Sequence, residues 1–279
     1  MIGRIYTGRE GFSPATLQAL FEAVEIDDVV DPEVSLPDPI VLDCTREDMR
    51  RCLALCLQFW NEGARRADLV RLTRTLLRKG DLTQAERREY KHVRAKYKHL
   101  RFALVLYDAR HRPPLLFSIT VAIMGHLQDA FRNGHRRAVI GYALLLRGLL
   151  AKPVWAAVKR RVAAVHLDTA EGFLAYRKAE IRRLKEALAH ERLTGPAFHT
   201  MRKIVSRHVS FYDTLRSLKP GEHDYKMSRF LSAINGLMGS RHDEMIEQAI
   251  SGEREYRTLA ELDGDIRQRL ETLVAHYPL

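Results

Sequence analysis

A stretch of twenty residues, Glu89–Asp108, limits the possible folds because its two sides differ chemically. As a helix, it stacks cations along one side, namely Lys91, Arg94, Lys98 and Arg101. The opposite side is an apolar seam made of Val93, Tyr97, Leu100, Leu104 and Tyr107. Aligned positive charges repel one another and weaken a helix, so this helix needs an anion or acidic side chains against its cationic side.

The helical period continues to the C-terminus and is broken only by clusters of glycine and proline. Thr45 with Asp48 and Thr83 with Glu86 have the spacing of capping boxes. No segment has the alternation of a strand, so we predict an all-α fold. The helices predicted after this stretch are Leu115–Arg132, Arg136–Leu150, Pro153–His166, Glu171–Arg192, His199–Leu218, Tyr225–Gly239 with a shorter piece to Gly252, and Glu253–His276.

The first part of the chain, residues 1–44, differs from the rest in charge and in proline content. Residues 1–43 hold two basic and nine acidic side chains, whereas the remaining 236 residues hold 44 basic and 26 acidic ones. We predict an acidic N-terminal arm at 1–44 and a helical domain at 45–279. The arm is either a solvated tail or a segment whose carboxylates lie on the basic body and compete with its ligand.

Composition favours an acidic partner and an intracellular location. The net charge is +11, and positive charge attracts polyanions. Three cysteines, Cys44, Cys52 and Cys56, share one segment without the pattern of a disulfide framework, which favours the cytoplasm. The N-terminus lacks the apolar run of a signal peptide, and no window approaches the ~18 apolar residues of a membrane span. We therefore expect a cytoplasmic protein without a membrane partner.

The basic helix has a counterpart about 110 residues further along the chain. The segment from His199 to Tyr212 repeats the pattern of Lys91 to Phe102, with Arg202 in the place of Arg94. Each copy is followed by a helix that contains the motif Met-Gly-x-x-x-Asp, at Met124–Asp129 and at Met238–Asp243. The repeat predicts two pseudo-symmetric helical bundles, about 45–168 and 169–279, whose cationic helices line one central basic cavity.

These duplicated motifs resemble those of the CHAD family, the conserved-histidine α-helical domains. The resemblance covers roughly residues 45–279, with Lys91 at the family's first histidine position and Ser206 and Val209 where the family favours cations. It implies non-catalytic binding of inorganic polyphosphate in a basic channel, association with polyphosphate granules in some members, and no cofactor. The residues expected to bind polyphosphate are Lys91, His92, Arg94, Lys98, His99, Arg101, His199, Arg202, Lys203 and Arg207.

Supporting and alternative interpretations accompany this assignment. Asp129 and Asp243 would repel a polyanion, so we expect them to pair with the motif arginines and orient them, unless they are plain surface carboxylates. Any single cation could instead be solvated or salt-bridged. Nucleic-acid binding is the second hypothesis, and His242-Asp243 leaves open a metal-dependent phosphohydrolase of the HD type, although no zinc spacing is present. Cations of secondary rank are Arg177, Lys178, Arg182 and Lys185.

Overall fold

The computed structural model describes residues 11–279, and it confirms the all-α prediction. The helices are α1 (Pro14–Glu25), α2 (Arg46–Gly63), α3 (Arg66–Lys79), α4 (Gln84–Tyr107), α5 (Leu115–Arg132), α6 (Arg136–Leu149), α7 (Lys152–Ala163), α8 (Ala170–Leu188), α9 (Gly195–Leu218), α10 (Glu222–Ser251) and α11 (Gly264–His276). Within this range the only strands are β1 (Arg192–Leu193) and β2 (Ala260–Glu261), which pair antiparallel.

The chain forms two compact units, and the first contains residues 49–168 together with 11 and 12. Its core is aromatic: the rings of Trp60 and Tyr97 meet edge to face at 5.6 Å, and Tyr97 stacks on Phe117 at 5.5 Å. The predicted apolar seam of α4 is buried along its whole length. A capping box between Thr83 and Glu86 starts this helix as its sequence predicts.

The second unit contains residues 13–48 and 169–279, so most of the predicted arm packs within it. Helix α1 contacts α9, and Leu20 at its centre is fully buried. The segment after α1 is held by α10, because Arg229 donates to the carbonyls of Ile26 and Val29. A Cβ at Gly236 would lie 2.1 Å from the carbonyl oxygen of Asp28, so α10 admits this segment only because residue 236 is glycine. Residues 1–10 of the predicted arm lie outside the described residues.

Several predicted helix boundaries in the second unit differ from the structure, including the end of α8, which stops at Leu188 because Arg192 belongs to β1. Helix α10 runs through Gly239 instead of ending there, and α11 begins at Gly264 because the chain first forms β2. Gly195 and Pro196 form the first turn of α9, with the hydroxyl of Thr194 accepting from the amide of Ala197. Pro at the first turn of a helix is favoured, since the helix uses no N–H there.

No single helix among residues 11–279 has both the length and the apolar composition needed to cross a membrane, although α6 and α7, which bend by 68° at their junction, pass this test as a pair.

Candidate functional site

The centre of the candidate site in the first unit is Arg94, which lies against Gly125 of the neighbouring helix α5. A Cβ at Gly125 would be 3.2 Å from Nη2 of Arg94, so the missing side chain makes room for the guanidinium. Nε of Arg94 is buried and has no hydrogen-bond partner. Within residues 11–279 Arg94 forms no ion pair, which is unusual because buried charges normally have partners.

The other cations of α4 extend the same side of the helix. Lys98 and Arg101 both lie near the ring of Phe102, with Nζ of Lys98 at 5.6 Å and Cζ of Arg101 at 5.7 Å from its centroid. Lys91 is exposed, whereas Lys98 and Arg101 are half-buried. A cation near an aromatic ring is attracted to the negative face of the ring, so Phe102 is a neighbour that both charges share.

The two histidines predicted from the first copy lie away from the cationic side of α4. His92 lines a cavity of about 490 Å³ with Lys96, Arg88 and Glu89. His99 is buried and its ring meets Phe59 edge to face at 6.1 Å. Burial disfavours the charged imidazolium and lowers the pKa of His99 to about 3, so this ring is neutral at physiological pH.

In the second unit, Arg202 of α9 occupies a matching position against Gly239 of α10. A Cβ at Gly239 would lie 3.0 Å from Nη2 of Arg202. The glycine predicted as a helix end is therefore a position inside a helix that makes room for a guanidinium. Arg94 with Gly125 and Arg202 with Gly239 form the same contact in two separate units, in the order that the sequence repeat predicts. We call these two positions the arginine–glycine contacts.

Two histidines and a tyrosine surround the second arginine–glycine contact. The rings of His199 and His242 stack at 4.6 Å, and Nε2 of His242 lies 3.0 Å from the hydroxyl of Tyr256. Burial raises the pKa of the Tyr256 phenol, and the positive charge of Arg202 lowers it by a smaller amount. The amide of Gly195 donates to the carbonyl of Tyr256 at 3.0 Å and thereby holds this loop against α9.

The two remaining cations predicted on α9 differ in their surroundings. Lys203 is half-buried beside Arg202. Arg207 donates two hydrogen bonds from Nε, at 2.9 and 3.1 Å, to the carboxylate of Glu180 and a further one from Nη2. Glu180 is fully buried and also accepts from the hydroxyl of Tyr176. Arg207 is thus the salt-bridged alternative that the sequence left open, and its charge already has a partner.

We expected Asp129 and Asp243 to pair with the motif arginines, but neither carboxylate forms an ion pair with Arg94 or Arg202. Asp129 is exposed and forms no ion pair within the described part of the chain. The side chain of Asp243 is 72% exposed, and its carboxylate lies 3.8 Å from Nδ1 of His242. Gly125 and Gly239 lie against the guanidinium groups of Arg94 and Arg202, so packing contributes to the position of both side chains.

The sequence did not indicate the observed surroundings of two residues of the second unit. Tyr256 falls within the predicted helix Glu253–His276, whereas the structure places it in the segment before β2. No local motif indicates that it reaches His242. Arg177, a cation of secondary rank, is completely buried, with its Cζ 4.0 Å from the centroid of Phe211 and its Nη2 donating to the hydroxyl of Tyr212. Its cationic end is therefore part of the core of the second unit.

Within residues 11–279 no group of three or more histidine, cysteine or acidic side chains is placed to hold a metal ion. Comparison with known proteins gives no match to a family model, to a curated protein or to a solved structure.

Proposed function

We propose that this protein binds inorganic polyphosphate, or a similar condensed phosphate, without catalysing its conversion. The observation that carries the proposal is the half-buried guanidinium of Arg94, which lies on Gly125 without an acidic partner among residues 11–279. A cation partly removed from water is stable when an anion lies against it. A guanidinium can also donate two parallel hydrogen bonds to a phosphate group.

The repetition of this contact favours a polymeric anion over a single small one. Arg202 lies on Gly239 in the second unit as Arg94 lies on Gly125 in the first. Lys91, Lys98 and Arg101 extend the first cluster, while Lys203 and the stacked His199 and His242 extend the second. Polyphosphate carries one charge per phosphate and no bases, so it can neutralise the cations of both clusters through charge alone. We propose that both clusters line one basic channel.

The residues are assigned to the proposed site according to their surroundings. The phosphate-contacting residues are Lys91, Arg94, Lys98, Arg101, His199, Arg202 and Lys203. Arg207 and His99 act instead through the stability of their units, because one is bound to Glu180 and the other is buried. A contribution of His92 requires the ligand to reach the separate cavity that it lines.

A salt-titrated competition experiment tests the proposal against its alternatives. Polyphosphate, single-stranded RNA and duplex DNA are compared by fluorescence anisotropy over a range of salt, and metal content and phosphate release are measured on the same sample. We expect polyphosphate to bind most tightly and its affinity to fall steeply with salt, because binding releases condensed counterions. Displacement of polyphosphate by RNA or DNA at equal phosphate concentration contradicts the proposal, and so does metal-dependent phosphate release.

A further inference from the structure

The surface around the start of α5 belongs to a part of the first unit, residues 109–167, that has few acidic side chains. Residues 109–167 contain ten lysine and arginine side chains and a single acidic one, Asp129. Despite this charge, α5 begins with leucines that point outward: Leu115 is 74% and Leu116 is 40% exposed. The packing of the unit therefore leaves most of Leu115 and part of Leu116 uncovered, next to positively charged side chains.

A cavity of about 790 Å³ lies beside these leucines, between the start of α5 and the end of α7. Basic side chains surround it, namely Arg110, Arg112, Arg161 and His166. Arg110 is bound to the buried Asp108 by two hydrogen bonds, at 3.0 and 2.7 Å. Arg112 and Arg161 are exposed and form no ion pair within the part of the chain that the structure describes.

We propose that this surface, defined by Arg112, Leu115, Leu116 and Arg161, docks on an anionic phospholipid membrane. The arginines attract the charged headgroups, each basic residue adding to the affinity. The leucines enter the boundary between headgroups and acyl chains, as apolar side chains of interfacial helices do. The volume of the cavity is within the range of about 300–1,000 Å³ typical of small-molecule sites, so it can admit a single headgroup.

The charge and shape of this surface favour a membrane over a protein partner. A second copy of the chain that docked through the same surface would bring the like charges of Arg112 and Arg161 together. Leu115 protrudes, and a bilayer accepts a protruding apolar side chain without needing a complementary shape. The expectation of no membrane partner came from the lack of a spanning segment, which does not bear on peripheral docking. This inference does not depend on the proposed polyphosphate site.

Co-sedimentation of the full chain with vesicles tests the docking surface. Vesicles of phosphatidylcholine alone are compared with vesicles of equal parts phosphatidylcholine and phosphatidylglycerol. We expect binding to the anionic vesicles only, and loss of this binding at about 1 M salt, where the screening length is about 3 Å. We expect Leu115→Ser and the double variant Arg112→Glu, Arg161→Glu each to lower the partition coefficient at least about tenfold.

Matched variants on the second unit control for general effects of polarity and charge. Leu259→Ser changes a leucine that is 55% exposed, and Arg182→Glu with Arg183→Glu makes the same change in net charge. We expect both to bind within about twofold of the unchanged protein, since exposed residues away from a surface contribute little to it. Circular dichroism checks that each variant is folded. If the arginine variant does not fold, Leu115→Ser alone tests the docking surface.

Several results would overturn the docking proposal. The unchanged chain would fail to bind anionic vesicles, or the test and control variants would lose vesicle binding equally. A third such result is that Arg94→Glu loses vesicle binding while the variants at the docking surface keep it. The same applies if Leu115→Ser converts a dimer into a monomer while vesicle binding is unaffected, because the leucine would then serve a second copy of the chain.

Discussion

Nη2 of Arg202 lies so close to Gly239 that a methyl group there would be 3.0 Å away. Arg94 and Gly125 repeat this arrangement in the other unit, at 3.2 Å. A glycine inside a helix costs roughly 0.8–1 kcal/mol relative to alanine. Its presence at both positions is explained by the guanidinium that each glycine admits.

Substitution of either glycine by alanine should separate stability from binding. We expect Gly125→Ala and Gly239→Ala to keep the fold, because alanine favours the helix while the flexible arginine moves aside. Polyphosphate affinity should fall several-fold, since the guanidinium leaves the position in which it is held. Isothermal titration calorimetry and urea unfolding measure the two effects.

Gly141 provides the matched control for these variants. It lies inside α6, and a Cβ there meets nothing within 4 Å. Gly141→Ala should therefore raise the unfolding free energy by up to about 1 kcal/mol without changing polyphosphate affinity. Equal affinity changes at Gly141 and Gly239 would show that the arginine–glycine contacts have no role in binding.

The Arg207–Glu180 pair should contribute to stability rather than to ligand binding. Glu180→Gln leaves the half-buried guanidinium of Arg207 without its carboxylate, so we expect a loss of about 3 kcal/mol or more in unfolding free energy. The matched change Glu261→Gln breaks an exposed pair with Arg192 and should cost less than about 1 kcal/mol. Urea denaturation at neutral pH compares the two variants, and equal losses would contradict the assignment.

Asp213 should give the stability of the second unit a dependence on pH. Burial raises the pKa of this carboxyl to about 7, although Ser228 and Arg216 donate hydrogen bonds to its Oδ1. In the unfolded chain its pKa is about 3.9. Between these values the folded state binds more protons, so the contribution of Asp213 to stability is present below pH 4 and is lost as the pH rises towards 7.

The variant Asp213→Asn tests this linkage because it cannot titrate. We expect the unfolding free energy of the unchanged protein to decrease relative to that of the variant as the pH rises from 4 to 7. Urea unfolding at a series of pH values measures the difference. Two curves that run parallel over this range would show that Asp213 is already ionised at pH 4.

The chain length of polyphosphate should affect its affinity if one polymer binds at both arginine–glycine contacts. Two linked contacts bind a long chain more tightly than either alone, because the second contact forms within the same complex. We expect long polyphosphate to bind more tightly than tripolyphosphate, and Arg94→Gln to reduce this advantage. An advantage that is the same in the variant would indicate that the first unit does not bind the polymer.

The sequence predicts the helices well because their periodicity and capping are local. The seam of α4 and the capping box at Thr83 follow from residues only a few positions apart. Contacts between distant residues are not encoded in this way. Gly239 is a residue type typical of a helix end, yet α10 continues through it, and the missing side chain there leaves room for Arg202 of α9.

The candidate site was predictable to a similar extent. The repeat identifies Arg94 and Arg202 as equivalent, and each lies against the glycine of the motif that follows it. It cannot show that Arg207 has an acidic partner, because that partner, Glu180, lies on a different helix. The burial of His99 likewise depends on Phe59, which belongs to α2.

The affinity of the double variant Arg94→Glu, Arg202→Glu for polyphosphate tests the central claim most directly. The control is Arg74→Glu with Arg183→Glu, which changes one exposed arginine in each unit and has the same net charge. Each charge-assisted hydrogen bond contributes roughly 1.5–3 kcal/mol, so we predict an affinity at least about 100-fold weaker for the double variant. The control should lose much less. An equal loss in both variants, or polyphosphate binding unchanged in the first, would contradict the account.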